Sequence, residues 1–379
     1  MSRAYQICTR CVMDTSDPAI TFDDQGVCNH CIKFDTVTRA YWHPGPEGAR
    51  LWAEKMDEIR AAGKGREYDC IIGLSGGVDS SYLALKLKDW NLRPLVVHVD
   101  AGWNSELATA NIESLVKYCG FDLHTVVIDW PEMRDLQLAY LKAGIANQDV
   151  PQDHAFFANL YKFAVQNGIK YILSGGNLAT EAISADAWGG SAMDAISLKA
   201  IHKRFGRTKL RSYDTISFFQ YYFAFPFLRG LRTVRPLNFM PYNKATAVEE
   251  LKQIGWKTYG RKHGESRFTK LYQNYYLPER FGFDKRRMHY SSMIVSGQMT
   301  REEGLEKMAE PLYEEAELQS DIAYFCKKLG ISRAEFDEYL RQPVRGYEDF
   351  PNWDSRHAIA KRAQAALKRL FGRDVKVYS

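Results

Sequence analysis

The sequence predicts an α/β protein. It would have a parallel, doubly wound sheet, a small cysteine-bearing metal head before it, and a mainly helical C-terminal region after it. Three observations predict this. Short apolar runs alternate with helix-length segments from residue 66 to about residue 176, and such alternation implies a parallel sheet covered on both faces. Four of the 7 cysteines fall in the first 31 residues as two C-x2-C pairs. From residue 298 onward the chain reads as helix, with Thr300-Arg301-Glu302-Glu303 and Ser332-Arg333-Ala334-Glu335 fitting the capping box. The predicted organisation is a head over 1–35, a helical connector over 36–65, a sheet domain over 66–240 and a helical region over 241–379.

The head carries turn residues (Asp14, Ser16, Asp17, Pro18, Asp23, Asp24, Gly26). In the connector, residues 51–59 have helical spacing, Gly63 suits the helix end, and His43-Pro44-Gly45-Pro46 interrupts the pattern. Strands are predicted at 70–74, 95–99, 124–128 and 171–174. Helices are predicted at 81–90, at 106–118 with Gly120 as stop, and at 153–167 with Gly168 as stop. Residues 178–232 mix a basic stretch with the aromatic run 218–227, expected in a core or an interface. A further helix is predicted at 243–254.

The composition is that of an ordinary globular chain. The formal charge of +5 over 379 residues is too small to suggest a dedicated nucleic-acid binder. No apolar run approaches the ~20 residues of a membrane span, and the first residues lack a secretory pattern. The expected location is cytoplasmic, where a disulfide scaffold is out of place.

The strongest signal is Gly73-Leu74-Ser75-Gly76-Gly77-Val78-Asp79-Ser80-Ser81, set between a predicted strand and a predicted helix. Gly76 and Gly77 let backbone approach a phosphate, and the helix start offers free N–H groups and a positive dipole end. Ser75, Ser80 and Ser81 add hydroxyls. Asp79 would repel bare phosphate, so its natural role is to hold Mg2+ between phosphates. The loop lacks the Gly-Lys-Ser/Thr ending of kinases and G-proteins. It resembles the PP-loop of the N-type ATP pyrophosphatases, which cleave ATP between the α and β phosphates and transfer AMP to a carbonyl-type oxygen. That resemblance implies an adenine nucleotide alpha-hydrolase-like fold. It places adenine near His98 at the end of the second strand. It also makes Ser174-Gly175-Gly176-Asn177 a second turn at the ATP, with Glu181 as a further Mg2+ ligand. His98 can equally be read as a satisfied core histidine, and 175–176 as a plain turn.

Cys8, Cys11, Cys28 and Cys31 form two knuckles sixteen residues apart, able to complete the four-sulfur set that structural Zn2+ prefers. An iron–sulfur or redox role is the alternative. His30 is a spare ligand candidate expected at the surface. Cys70 and Cys119 read as structural.

Lys199, His202, Lys203, Arg204, Arg207, Lys209 and Arg211 lie in one stretch free of acidic residues. It is either a solvated face or a site for an anionic substrate such as a nucleotide-sugar diphosphate. Residues 260–270 and 281–287 combine glycines with dense polar groups. Glu265, Ser266, Arg267 and Arg286 are substrate-binding candidates there, with Lys203 and Arg204. Lys270 and Lys285 are candidates to stabilise charge at the α-phosphate.

The motifs together go further. They comprise Cys8-x-x-Cys11-Val12-Met13-Asp14, Gly26-Val27-Cys28-x-x-Cys31, the loop at 75–81, Gly175-Gly176-Asn177 and Arg235-Pro236-Leu237. They continue with Glu265-Ser266-Arg267-Phe268-Thr269-Lys270, Tyr275-Tyr276-Leu277-Pro278, Phe281-Gly282-Phe283-Asp284-Lys285-Arg286 and Ser296-Gly297-Gln298-Met299-Thr300-Arg301. Over residues 5–310 this set resembles the N-acetyl sugar amidotransferase family of bacterial surface-polysaccharide synthesis; Arg261 and Gly264 depart from its pattern. The resemblance implies ATP-dependent conversion of an N-acetyl group on a nucleotide sugar into an acetamidino group. It also implies ammonia from a separate glutaminase, with partners like the glutaminase–cyclase pair of histidine synthesis. The competing readings are a tRNA-thiolating PP-loop enzyme and a non-catalytic nucleotide-binding scaffold.

Overall fold

The computed structural model describes residues 4–185, 188–259, 264–354, 356–357 and 362–363. Arg261, part of the polar segment singled out above, lies outside them. The chain opens with the head, which ends in α1 (Asn29–Thr36), and continues into α2 (Pro46–Gly63). The sheet domain then runs β1 (Cys70–Gly73), α3 (Val78–Asp89), β2 (Pro94–Asp100), α4 (Glu106–Cys119), β3 (Asp122–Val127), α5 (Trp130–Ala143), α6 (Val150–Gln166) and β4 (Tyr171–Leu173). It closes with α7 (Leu178–Glu181), α8 (Ala195–Phe205) and β5 (Arg232–Val234). The rest is helical: α9 (Lys244–Gln253), α10 (Arg267–Leu271), α11 (Leu277–Phe281), α12 (Arg286–Val295), α13 (Arg301–Ala309), α14 (Glu315–Leu329) and α15 (Arg333–Arg341).

The five strands form one parallel sheet in the order β3-β2-β1-β4-β5. Side chains alternate between its faces. Cys70, Ile72, Val96, Tyr171 and Leu173 join one core with Leu83, Leu87, Ile112 and Leu115 of α3 and α4. Ile71, Leu95, Val97 and Ile172 join the other with Met133, Leu136, Ala155 and Leu160 of α5 and α6. The chain leaves β1 toward β2 on one side and returns to β4 on the other. The crevice at the carboxyl ends of β1 and β4 is therefore the topological switch point, where open α/β sheets bind ligands.

The fold agrees with the predicted class and adds to it. Helix α5 and strand β5 were not predicted. Helix α3 begins three residues earlier than expected, which brings Asp79, Ser80 and Ser81 into its first turn. Both predicted capping boxes are present, at Thr300/Glu303 and Ser332/Glu335. The aromatic run forms a π-helix, Gln220–Leu228, that buries Tyr221 and Tyr222 against Trp353 and leaves Phe219 and Leu228 exposed. No helix among the described residues is long and apolar enough to cross a membrane.

Candidate active site

Strand β1 delivers the chain into the loop at the switch point. Gly76 holds φ +84, a left-handed conformation that glycine adopts freely. Its carbonyl accepts the Tyr259 hydroxyl at 2.7 Å, and Asn111 Nδ2 donates to that same phenol at 3.0 Å. Ser75 and Ser80 close the turn from within, with their hydroxyls 3.1 Å apart and Gly77 N donating to Ser75 Oγ at 3.3 Å. Gly77 occupies the N-cap of α3, and no side chain caps that end. An uncapped helix start in a glycine loop is a seat for an anion.

Asp79 is held by its neighbours. Its Oδ1 accepts Tyr242 OH in a short bond and Asn177 Nδ2 at 3.3 Å. Burial, and then the Asp79 charge, push the Tyr242 phenol up, so it remains a donor. Asp79 Oδ2 accepts no hydrogen bond among the described residues, which leaves one oxygen free to meet a cation. The second glycine turn packs against this loop. A Cβ on Gly175 would come within 2.8 Å of Ser80 N and 2.9 Å of Asp79 O, so only glycine fits there. Glu181 and Arg235 both approach Gly176. Asn177 is fully buried and caps α7 through its bond from Thr180 N at 3.0 Å.

A cleft of about 2040 Å³ opens from this point. Single-ligand pockets are usually about 300–1,000 Å³, so it has room for two ligands. Among the expected residues it is lined by Ser75, His98, Gly175, Glu181, Glu265, Ser266 and Lys285. Ser81 stands behind the loop, fully buried, and its hydroxyl has no hydrogen-bond partner among the described residues. His98 fills both readings made of it. Its Nδ1 donates to Leu74 O at 2.8 Å and its Nε2 accepts Asn104 Nδ2 at 2.9 Å, yet the ring also faces the cleft.

One expected catalytic group, Lys270, and several expected substrate groups stand elsewhere. Lys270 Nζ is 2.7 Å from Asp321 Oδ2 and also pairs with Glu317. Arg267 lies 2.8 Å from Asp321 Oδ1 and over the Tyr324 ring. These pairs fasten α10 to α14. Arg286 is bound by Asp284 and by the carbonyls of Lys307, Met308 and Glu310. Lys203 and Arg204 project from the exposed end of α8, apart from the cleft lining. By contrast, Lys285 forms no ion pair among the described residues and faces the cleft. Asp149, Asp153, Tyr242 and Arg235 belong to this region as well. Of these, only Arg235 was marked in the sequence, as part of a motif.

The head meets the test for a metal. The four sulfurs of Cys8, Cys11, Cys28 and Cys31 lie within 4.8 Å of one another, all buried and none in a disulfide. Cys11 Sγ and Cys28 Sγ are 3.7 Å apart. A tetrahedron with Zn–S arms of about 2.3 Å has edges of about 3.8 Å. Backbone N–H groups of Arg10, Cys11 and Cys28 point at Cys8 Sγ, a suitable environment for thiolate. His30, expected at the surface, is instead buried and turned away from the sulfurs to Asp17 Oδ2 at 2.7 Å. The remaining cysteines are buried. Burial pushes the Cys119 thiol up to about 11 and raises Cys70 and Cys326 as well. None of the 7 cysteines lines the cleft.

A parallel sheet with a Ser-Gly-Gly-x-Asp-Ser loop at its switch point is the arrangement that the PP-loop resemblance implies for an α/β protein. Residues 265–364 match the family model described as LPS biosynthesis protein WbpG-like, C-terminal domain, in agreement with the surface-polysaccharide resemblance. No curated protein matches the chain. Among solved structures, the chain is similar to NMN synthetase from Francisella tularensis, with 19% identity and TM-score 0.26 over 32% of this chain and 50% of that one. It thus spans about half the length of that protein. It is also similar to NH3-dependent NAD synthetase from Campylobacter jejuni, with 15% identity and TM-score 0.28 over 41% and 72% of the two chains. A third similar structure is a predicted subunit of tRNA methyltransferase from Methanocaldococcus jannaschii, with 17% identity and TM-score 0.27 over 48% and 74%.

Proposed function

We propose that this protein is an ATP-dependent amidotransferase of lipopolysaccharide or O-antigen biosynthesis. It adenylates the N-acetyl oxygen of a nucleotide-activated sugar and replaces that oxygen with ammonia, giving an acetamidino sugar. The observation that carries this reading is the uncapped glycine–serine loop at the switch point, opening into a cleft with room for both ATP and a second nucleotide. The matched family, described as one of LPS biosynthesis, supports the substrate class.

The chemistry follows from the groups present. An amide carbon is a poor electrophile, and transfer of AMP to its oxygen turns that oxygen into a leaving group. The 75–81 loop and the start of α3 seat the phosphates. Asp79, held by Tyr242 and Asn177, and Glu181 would hold Mg2+, which neutralises charge on the departing pyrophosphate. Lys285 and Arg235 supply further positive charge at the cleft wall. Cys8, Cys11, Cys28 and Cys31 would hold a structural zinc. With every cysteine outside the cleft, the chain offers neither a glutaminase nucleophile nor a sulfur carrier. This argues for ammonia from a separate glutaminase with a cyclase-like companion, and against tRNA thiolation. The reaction would take place in the cytoplasm.

The test is incubation with ATP, Mg2+, UDP-linked N-acetyl sugars and ammonium. AMP should form together with a sugar in which NH replaces the acetamido oxygen. Release of AMP only in the presence of tRNA would overturn the reading. Asp79→Asn should keep the fold and abolish AMP formation, because it keeps an acceptor for Tyr242 and loses the charge that holds the metal.

A further inference from the structure

Asp149 and Asp153 stand one turn apart where α6 begins, and both line the cleft. Asp149 Oδ1 accepts the Thr269 hydroxyl at 3.0 Å and Gln152 Nε2 at 3.2 Å. Thr269 Oγ1 is also 3.2 Å from Ser266 Oγ. Beside Ser266, the Glu265 carboxylate lies 3.4 Å from where a Cβ on Gly77 would sit. Polar side chains thus run from Glu265, beside the phosphate loop, through Ser266 and Thr269 to Asp149, and Asp153 follows one helical turn on.

Asp153 differs from its neighbour. It is half-buried, and its carboxylate accepts no hydrogen bond among the described residues. The groups acting on it are Asp149 on the same helix, Lys285 ahead of α12, and the phenols Tyr213 on the loop after α8 and Tyr272 after α10. Burial, and then Asp149, push its acid up to about 7, against the pull of Lys285. Acidic residues at helix starts normally stay ionised and serve the helix dipole. A carboxyl held near neutrality at the wall of a cleft is suited instead to moving a proton.

We propose that Asp153 is the general base for the nitrogen nucleophile, with Asp149 beside it to hold the incoming ammonium ion. The proposal rests on the amidotransfer reading above. Ammonium has no lone pair with which to attack. One N–H bond breaks, its proton moves to an Asp153 oxygen, and the electron pair stays on nitrogen. That pair forms the C–N bond to the protonated, adenylated acetamido carbon. The C–O bond to the adenylyl group then breaks with its pair on the AMP oxygen, which takes up a second nitrogen proton. The product is the amidinium, and the Asp153 proton passes to solvent.

Wild-type protein and Asp153→Asn separate the steps. Exchange of labelled pyrophosphate into ATP, dependent on a panel of UDP-linked N-acetyl sugars, reports adenylation and needs no nitrogen nucleophile. Transfer to ammonium is compared with transfer to hydroxylamine, which is already neutral at neutral pH. In the variant, exchange and hydroxylamine transfer should be unchanged. Ammonium transfer should fall by about 10²-fold or more at neutral pH and recover at alkaline pH, where free ammonia predominates. Wild-type rates with ammonium would overturn the proposal, and so would loss of exchange and hydroxylamine transfer along with ammonium transfer. Absence of exchange in the wild-type protein would overturn the amidotransfer reading itself, and this proposal with it.

Discussion

At the scale of single residues, two positions give sharp outcomes. Gly175 lies where β4 hands its chain to the loop, and a Cβ there meets backbone rather than a yielding side chain. Gly175→Ala must therefore push the two turns apart. The expected cost is about 1–3 kcal/mol of stability and a loss of ATP affinity of about 10-fold or more, equivalent to about 1.4 kcal/mol. Denaturant unfolding and nucleotide titration measure the two separately. The second position is Asp153, whose folded-state acid is raised. The native state then binds its proton more tightly than the unfolded chain does. The contribution of this group to stability therefore falls as pH rises from the ordinary aspartate value, about 4, toward about 7. Asp153→Asn has no such proton. Its melting temperature should pull ahead of wild type progressively across that window and hold a constant lead above it. A lead that does not change with pH would show that Asp153 titrates like an ordinary surface acid.

At the scale of elements, the four-cysteine head is fastened to the helices that follow the sheet domain. Arg287 of α12 lies 2.9 Å from the buried Asp14 carboxylate and donates to Val12 O at 2.7 Å. Arg301 of α13 donates to the carbonyls of Cys8 and Cys11. Arg287→Met leaves Asp14 buried without its cation, a cost of about 3 kcal/mol or more. The head should then loosen first, which a chelator detects as faster extraction of metal from the folded protein. The same docking shows what could be read in advance. The cysteine pairs, the glycine loop and the capping boxes were legible because their chemistry sits within a few residues. Helix α5 was not, because Glu132, Asp135 and Gln137 are buried in it and spoil its apolar stripe. Glu132 and Asp135 accept backbone N–H groups from 207–213, partners that lie 72 to 81 residues away. Strand β5 has three residues and no apolar run; only its pairing with β4 makes it a strand. Lys270 looked like a site residue because Asp321, 51 residues on, gives no local sign of claiming it. Asp149 and Asp153 were visible only as ordinary acids near a helix start.

For the whole molecule, the question is whether the head acts beyond its own fold. Its sulfurs, Met13, Ile20 and Phe34 share one core with Ile183, Ala185 and Trp188, and Met288 and Val295 pack on that core. Trp188 stacks on Phe283 with ring centres 4.9 Å apart. Those partners follow directly on Glu181 and flank Lys285, so the head supports the part of the cleft wall that carries these two residues. The sheet, in contrast, has a separate core on each face. Metal removal should therefore act unevenly. Binding free energy at a four-cysteine site is folding free energy for a head this small. Stripped protein should show a new, low-temperature calorimetric transition as the head and α12 melt, while the sheet domain unfolds near its original temperature. On the function proposed above, pyrophosphate release should slow, since Lys285, a cation of the cleft wall, loses its support. Nucleotide affinity at the 75–81 loop should change far less, because that loop is braced by Tyr259 and Gly175 rather than by the head. A single transition at the original temperature after complete metal removal would show that the cysteine head is neither held by metal nor coupled to the cleft.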